Sequence, residues 1–322
     1  MRRRRLGRTP FEVGRLSLGC ATFGREIDEA ASFGLLDFAI EAGINLLDTS
    51  EGYGGGQARE GRRRSLGVED VREVSGEFHS SELIIGRWLA QRRCRERIIL
   101  QTKALPPLGR ARIGEAIDAS LRRLQTHYLD LFLFHAPDPA TPLRESLEGL
   151  VEPLRAGKIR AAGCSNFSAG QLREAIELSR GDCSLPRMEV TQFNYNLAMR
   201  DAEAELLPLC AREGVGVQTY SPLGAGFLTG KYDPVAQSAP AGSRFDVMPG
   251  HRDVYFQEEK FRAAQRLREH ADRVGVPVAQ LAVAWVLGNP AVDTVLIGAR
   301  TTAHIESALA AESLPPSATA DL

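Results

Sequence analysis

"RIILQTKALPPLGRARIGEAIDASLRRLQTHYLDLFLFH", residues 97–135, decides the fold. It holds two short apolar runs, "RIILQTK" (97–103) and "LDLFLFH" (129–135). A run without a polar face must be covered on both sides, which is the condition of a strand in a parallel sheet. Between them, in 110–126, apolar residues recur at spacings of three and four, the period of an amphipathic helix. Parallel strands need such a crossover, so the stretch reads as one strand–helix–strand unit. Each strand also ends on an ionisable group, Lys103 or His135.

The same rhythm extends in both directions. Further strand-like runs lie at 15–19, 44–48, 159–165, 188–194, 215–221 and 292–298. Helix-like segments lie at 28–42, 80–93, 142–156, 168–180, 201–213, 277–288 and 301–311. Asp28, Ser80 and Ser168 stand where N-caps belong, and Gly43, Gly157, Gly181 and Gly214 where helices should stop. Eight strand–helix units in 322 residues predict a closed α/β barrel, the (β/α)8 TIM barrel, over an open doubly wound sheet. The opening "RRRRLGRTPFEV" reads as a β-hairpin turning at "GRTP" and closing the bottom of the barrel. No internal repeat or Ser/Gly/Pro linker divides the chain, so residues 1–322 are read as a single domain. Two stretches break the rhythm, 54–79 and 232–256, and read as long loops at the C-terminal face.

Composition narrows the function. The 43% hydrophobic content suits a large core, and a formal net charge of -1 leaves no nucleic-acid footprint. The cysteines (Cys20, Cys94, Cys164, Cys183, Cys210) are scattered without CxxC spacing. That predicts reduced thiols in a cytoplasmic protein, with no disulfide framework and no metal site. No apolar run approaches the ~18 residues of a membrane span, and no apolar segment follows the basic start as in a secretory signal. A soluble cytoplasmic protein acting on a small molecule is expected, with its oligomeric state unknown.

The strand ends carry the chemistry. Asp48 closes "INLLD", Lys103 closes the third barrel strand, His135 closes the fourth, and Tyr53 follows Asp48 in a glycine-rich loop. A barrel gathers strand C-terminal ends on one rim. Lysine is scarce here, four residues (Lys103, Lys158, Lys231, Lys260) among 40 basic ones, yet one stands at a strand end. A phenol is a poor acid at neutral pH, with a pKa of ~10. A nearby ammonium stabilises the phenolate, a carboxylate can hold that ammonium, and a histidine can orient a carbonyl. The four form a general acid with its tuning groups, and the missing reductant must be a cofactor.

Motifs in order along the chain are similar to those of the aldo-keto reductase superfamily. They are "LGCATFG", "INLLDTSEGYG", "ELIIGRWL", "ILQTK", "LFLFHAPDP", "GKIRAAGCSNF", "QFNYNL", "YSPLGAGFLTGKY" and "IGARTTAHI". The resemblance covers nearly the whole chain. It implies that Tyr53 is the proton donor, that Lys103 and Asp48 tune it, and that His135 positions the carbonyl. It implies further that Ser165, Asn166 and Gln192 hold the nicotinamide carboxamide and that Tyr220 stacks on the ring. Ser221, Leu223 and Gly226 match the pyrophosphate segment, and Arg300 the arginine on a 2'-phosphate. "GAGFLTGK" (224–231) fits neither a dinucleotide fingerprint nor a P-loop. Arg300 thus favours NADPH, while His304 and Ala308, where the family commonly has glutamine and asparagine, weaken the adenine-end contacts and leave NADH possible.

The implied reaction is reduction of an aldehyde or ketone, a sugar or a small carbonyl compound, with NADPH. Alternatives are oxidation of a sugar or alcohol hydroxyl with NAD(P)+, and a cofactor-binding regulatory subunit of channel-beta type. Phe23, in the loop after the first strand, is expected to contact substrate. Residues 57–79 are expected to form a substrate lid. The charges Arg59, Arg62, Arg63 and Arg64 are balanced there by Glu60, Glu69, Asp70, Glu73 and Glu77, so a solvated charge run is the reading preferred over an anion site.

Overall fold

Eight parallel strands close into a barrel in the computed structural model, which describes residues 1–69, 71–233, 239–247 and 249–322. A hairpin precedes them, β1 (Arg3–Arg5) paired antiparallel with β2 (Glu12–Gly14). The barrel strands are β3 (Leu16–Gly19), β4 (Leu46–Asp48), β5 (Ile99–Ala104), β6 (Leu129–Phe134), β7 (Ile159–Ser165), β8 (Val190–Asn194), β9 (Gly216–Tyr220) and β10 (Thr294–Gly298). Each pairs with the next in sequence, and β10 returns to β3. The expected (β/α)8 barrel is the fold found.

The hairpin closes the bottom as its sequence suggests. Leu6, Phe11 and Val13 pack into one buried cluster with Leu46, Ile99, Leu131, Leu133, Ala161 and Val190 from the strands. The larger core lies between strands and surrounding helices. Those helices begin with α1 (Glu29–Glu41), where the Asp28 carboxylate accepts the Ala31 N–H at 2.9 Å. Next come α2 (Gly55–Leu66), α3 (Ser80–Arg92), α4 (Arg110–Arg123), α5 (Leu143–Arg155) and α6 (Ala169–Gly181). Ser168 and Gln171 form a capping box at the start of α6. Ser80 is not an N-cap: it is the first residue of α3, and its hydroxyl donates to the Phe23 carbonyl at 3.1 Å instead.

The two long stretches are corrected in character. The 54–79 stretch contains α2, and 232–256 contains α8 (Arg244–Val247) and α9 (His251–Tyr255), after α7 (Leu206–Glu213). Asp70 and residues 234–238 and 248, which fall within these stretches, lie outside the described residues. The second stretch has its own core, in which Phe227 and Tyr255 stack at 5.5 Å and Tyr232 and Phe245 at 4.5 Å. Behind it lies α10 (Glu258–Val274), a helix the sequence reading passed over, then α11 (Val278–Gly288) and α12 (Thr302–Glu312).

The two stretches also meet. The Arg62 guanidinium, buried on α2, pairs with Glu73 at 2.5 and 2.9 Å and donates to the Val247 carbonyl at 3.1 Å. Arg72 pairs with Asp246 at 2.6 Å, and Arg244 pairs with Glu26 at 2.5 Å. The Val74 and Ser75 N–H groups donate to the carbonyls of Arg25 and Gly24. Residues 71–77 are therefore a strap held between the loop after β3 and the segment around α8.

Candidate active site

The apolar strands place four ionisable or phenolic groups at one rim. Lys103, wholly buried on β5, sets its Nζ 2.7 Å from Asp48 Oδ1 and 2.8 Å from Oδ2. The ammonium also donates to the Thr49 carbonyl at 2.9 Å and reaches the Tyr53 hydroxyl at 3.4 Å. His135 lies edge-on to Tyr53, with ring centroids 5.3 Å apart. All four residues singled out in the sequence are thus neighbours.

Beneath them the barrel is filled by amides. Gln101, Gln192 and Gln218 are all buried. The side-chain Nε2 groups of Gln101 and Gln192 donate to Asp48 Oδ1 at 2.6 and 3.0 Å, and both also donate to Gln218 Oε1 at 2.9 Å. Gln218 returns a bond to Gln101 Oε1 at 2.8 Å. This network satisfies Asp48 from below while Lys103 satisfies it from the side, as a buried carboxylate requires.

The electrostatics follow from burial. Burial raises the Tyr53 phenol, and the Lys103 charge only partly offsets it, so the net shift is upward. The sequence reading anticipated the lowering by the ammonium but not the larger opposing desolvation. Burial alone would lower Lys103; Asp48 and then Tyr53 more than reverse this, and its pKa is raised. His135 is pushed down to about 3 by burial and by the Lys103 charge, so its imidazole is neutral.

The residues expected around a nicotinamide fit such a group in part through what they leave unpaired. Ser165 Oγ is buried with no hydrogen-bond partner. Asn166 donates to the His135 carbonyl at 2.9 Å and accepts from the Tyr220 hydroxyl at 2.7 Å, which ties that phenol to the same rim. Gln192 has its amide nitrogen committed to the barrel network described above. Ser221 has φ 56°, which turns the chain sharply after β9. Leu223 packs between the two cores. Gly226, at φ 91°, keeps open a hollow where a Cβ would stand 3.1 Å from Lys231 Nζ.

Further along the rim, the Arg300 guanidinium donates to the Gly242 carbonyl at 3.2 Å, and its backbone N–H donates to His304 Nδ1 at 3.2 Å. Burial lowers Lys231 and His304, and the Arg300 charge lowers both further. Three basic groups therefore converge, a suitable seat for phosphate. Lys231 was not singled out in the sequence; its signal was the Gly-Lys pair closing the loop after the seventh barrel strand. Phe23 is the correction. It is 0% exposed within the main core, so its ring offers no surface to a substrate. Among the described residues no group of three or more His, Cys, Asp or Glu could hold a metal. No helix among them is long and apolar enough to cross a membrane.

Comparison with known proteins places this geometry in a family context. A family model described as "Aldo/keto reductase family" matches residues 15–320. "Protein tas" of Escherichia coli (strain K12) is 33% identical, over 95% of this chain and 92% of that protein. "Aldo-keto reductase YhdN" of Bacillus subtilis (strain 168) is 32% identical, over 93% of this chain and 85% of that protein. A "Probable voltage-gated potassium channel subunit beta" of Arabidopsis thaliana is 31% identical, over 98% of this chain and 92% of that protein.

Proposed function

The chain belongs to the aldo/keto reductase family of oxidoreductases, and we propose that it reduces an aldehyde or ketone with NADPH, Tyr53 donating the proton. One observation carries this reading: a single buried ammonium, Lys103, touches both Asp48 and the Tyr53 hydroxyl. Because Lys103 donates to the phenol oxygen, the phenol's own proton is left to point at a substrate oxygen. The neutral His135 imidazole, edge-on to Tyr53, is the second group to meet that oxygen.

The cofactor, when bound, supplies hydride to the carbonyl carbon. As negative charge grows on the oxygen, Tyr53 passes its O–H proton there. The phenolate left behind is stabilised by Lys103 until solvent reprotonates it. Asp48 holds Lys103 in place and is itself held by Gln101 and Gln192. We assign Ser165, Asn166 and the Gln192 carbonyl oxygen to the nicotinamide carboxamide, and Tyr220 to the ring face. Ser221, Leu223, Gly226 and Lys231 are assigned to the pyrophosphate and Arg300 to a 2'-phosphate, which favours NADPH over NADH. Four of the five cysteines are buried and all are free, which suits a reducing cytoplasm.

The same residues run the reverse reaction, oxidation of an alcohol or sugar hydroxyl with NAD(P)+, where the ratio of cofactors allows. A second reading, a cofactor-binding regulatory subunit, draws on the similarity to the potassium channel subunit beta of Arabidopsis thaliana. Incubation of the purified chain with a panel of aldehydes, ketones and sugar alcohols, with NADPH, NADH and their oxidised forms, separates the readings. Carbonyl-dependent consumption of NADPH supports the reductase. Tight NADPH binding without turnover of any carbonyl would favour the regulatory reading.

A further inference from the structure

We propose that Ser50 is a positioning residue that fixes the tautomer of His135, so that the imidazole presents an Nε2–H donor to the substrate oxygen. This rests on reading His135 as the second group at that oxygen. Ser50 is buried, and its Oγ lies 2.9 Å from His135 Nδ1. The same oxygen accepts the Gly52 N–H at 3.0 Å and lies 3.2 Å from the Lys103 carbonyl. A serine has one proton to give, so either Nδ1 or that carbonyl receives it.

The competition favours Nδ1. The Lys103 carbonyl already accepts the Glu51 N–H at 3.0 Å, so it is not left unpaired if Ser50 turns away. Nδ1 has no other donor among the described residues, and it is the nearer acceptor. With Ser50 donating, Nδ1 is the bare nitrogen of the neutral ring and the proton resides on Nε2. The opposite tautomer would turn the Nε2 lone pair toward a carbonyl oxygen, acceptor against acceptor. Backbone bonds fix the ring's origin: the His135 N–H donates to the Ala104 carbonyl at 2.9 Å, and the His135 carbonyl accepts from Asn166. Ser50 then sets which nitrogen carries the proton. Two groups then meet the substrate oxygen, Tyr53 backed by Lys103 and His135 backed by Ser50.

The test is nitrogen NMR of the full chain labelled with 15N-histidine, with His135 assigned by comparison with His135→Asn. The proposal predicts a neutral ring between about pH 5 and 8, with Nε2 protonated and Nδ1 bare. Ser50→Ala should give a mixture of tautomers, lower kcat on the order of tenfold, the effect of one misdirected hydrogen bond, and leave NADPH affinity unchanged. Ser50→Cys, close in shape but a weak donor, should shift the tautomer ratio in the same direction. An Nδ1–H ring in the wild type would overturn the proposal, as would a tautomer pattern that neither variant moves. The NMR result does not depend on turnover, so absence of carbonyl reductase activity in the wild type would refute the proposed function and leave the Ser50-set tautomer of His135 standing.

Discussion

Tyr53 shows how one residue carries two opposing demands. Burial holds the phenol protonated, above its ordinary 10.0, while Lys103 keeps the phenolate accessible in the reaction. In the proposed reaction, reduction therefore keeps its proton donor throughout the neutral range. Oxidation of an alcohol needs the phenolate as base, so its rate should climb with pH toward the phenol's pKa. Lys103→Met removes a contribution that lowers this pKa, so the climb should move to higher pH, and both directions should slow. pH–rate profiles of the wild type and variant check this; superimposable profiles would contradict the role of Lys103. The same variant strands the buried Asp48 carboxylate, which should cost about 3–5 kcal/mol in urea unfolding. At this scale the sequence was informative wherever an ionisable group ended an apolar run, as at Asp48, Lys103 and His135. It was silent on Ser50, because a serine in a turn looks the same whether or not it faces a histidine.

Among the elements, strands were read more reliably than helices, for a physical reason. Nearly every barrel-strand residue is buried, so these runs are short and largely apolar. Helix α2 has no apolar stripe: its buried positions are Gly55, Gly56, Ala58 and Arg62. Gly55 belongs there because a Cβ would collide with the carbonyls of Ser75 and Gly24. Helix α10 did carry a period, Phe261, Ala264, Leu267 and Ala271, but small residues among many charges made it faint. Residues 57–79, expected to be a mobile lid, comprise most of α2 and the strap that follows it, and the strap is fastened by its contacts. The buried Arg62–Glu73 pair is one fastening, and truncating Glu73 removes both of its hydrogen bonds to that guanidinium. Glu73→Ala is therefore expected to release residues 71–77 to proteolysis and raise KM for the carbonyl more than for NADPH. Unchanged proteolysis and KM would show that the pair is not a fastening. Burial raises the Glu73 carboxyl and Arg62 more than offsets it, so its pKa lies below 4.5. A depressed pKa means that the fastening is complete above about 4.5 and weakens as pH falls through the lower, folded value. Hydrogen exchange of α2 and the strap should accordingly quicken on acidification, and exchange independent of pH, after correction for the intrinsic rate, would argue against it.

For the whole molecule, the barrel brings the residues proposed for the phosphate end and for the reacting end of one cofactor site onto a single rim. Arg300 reaches the Gly242 carbonyl at the start of the segment that carries α8, and that segment is tied through Arg62 and Arg72 to the strap. The proposed cofactor and substrate sides are thus joined by one line of contacts. Arg300→Ala should weaken NADPH by roughly 10- to 150-fold, the equivalent of a charge-assisted bond of ~1.5–3 kcal/mol, and NADH far less. Cofactor fluorescence titrations measure both; equal losses would remove Arg300 from the 2'-phosphate. The fold was legible because eight repeats of one pattern leave few alternatives, and the four residues at the rim followed from it. The substrate is not legible, since the loops that would recognise it, including the one bearing Phe23, obey no period. The central claim is that Tyr53 gives the proton that completes carbonyl reduction. Its most direct test is a single turnover of NADPH-saturated protein mixed with an accepted aldehyde, followed by nicotinamide absorbance, for the wild type and Tyr53→Phe. The predicted result is a loss of at least ~100-fold in the variant with its NADPH affinity intact; equal rates in the two proteins would contradict it.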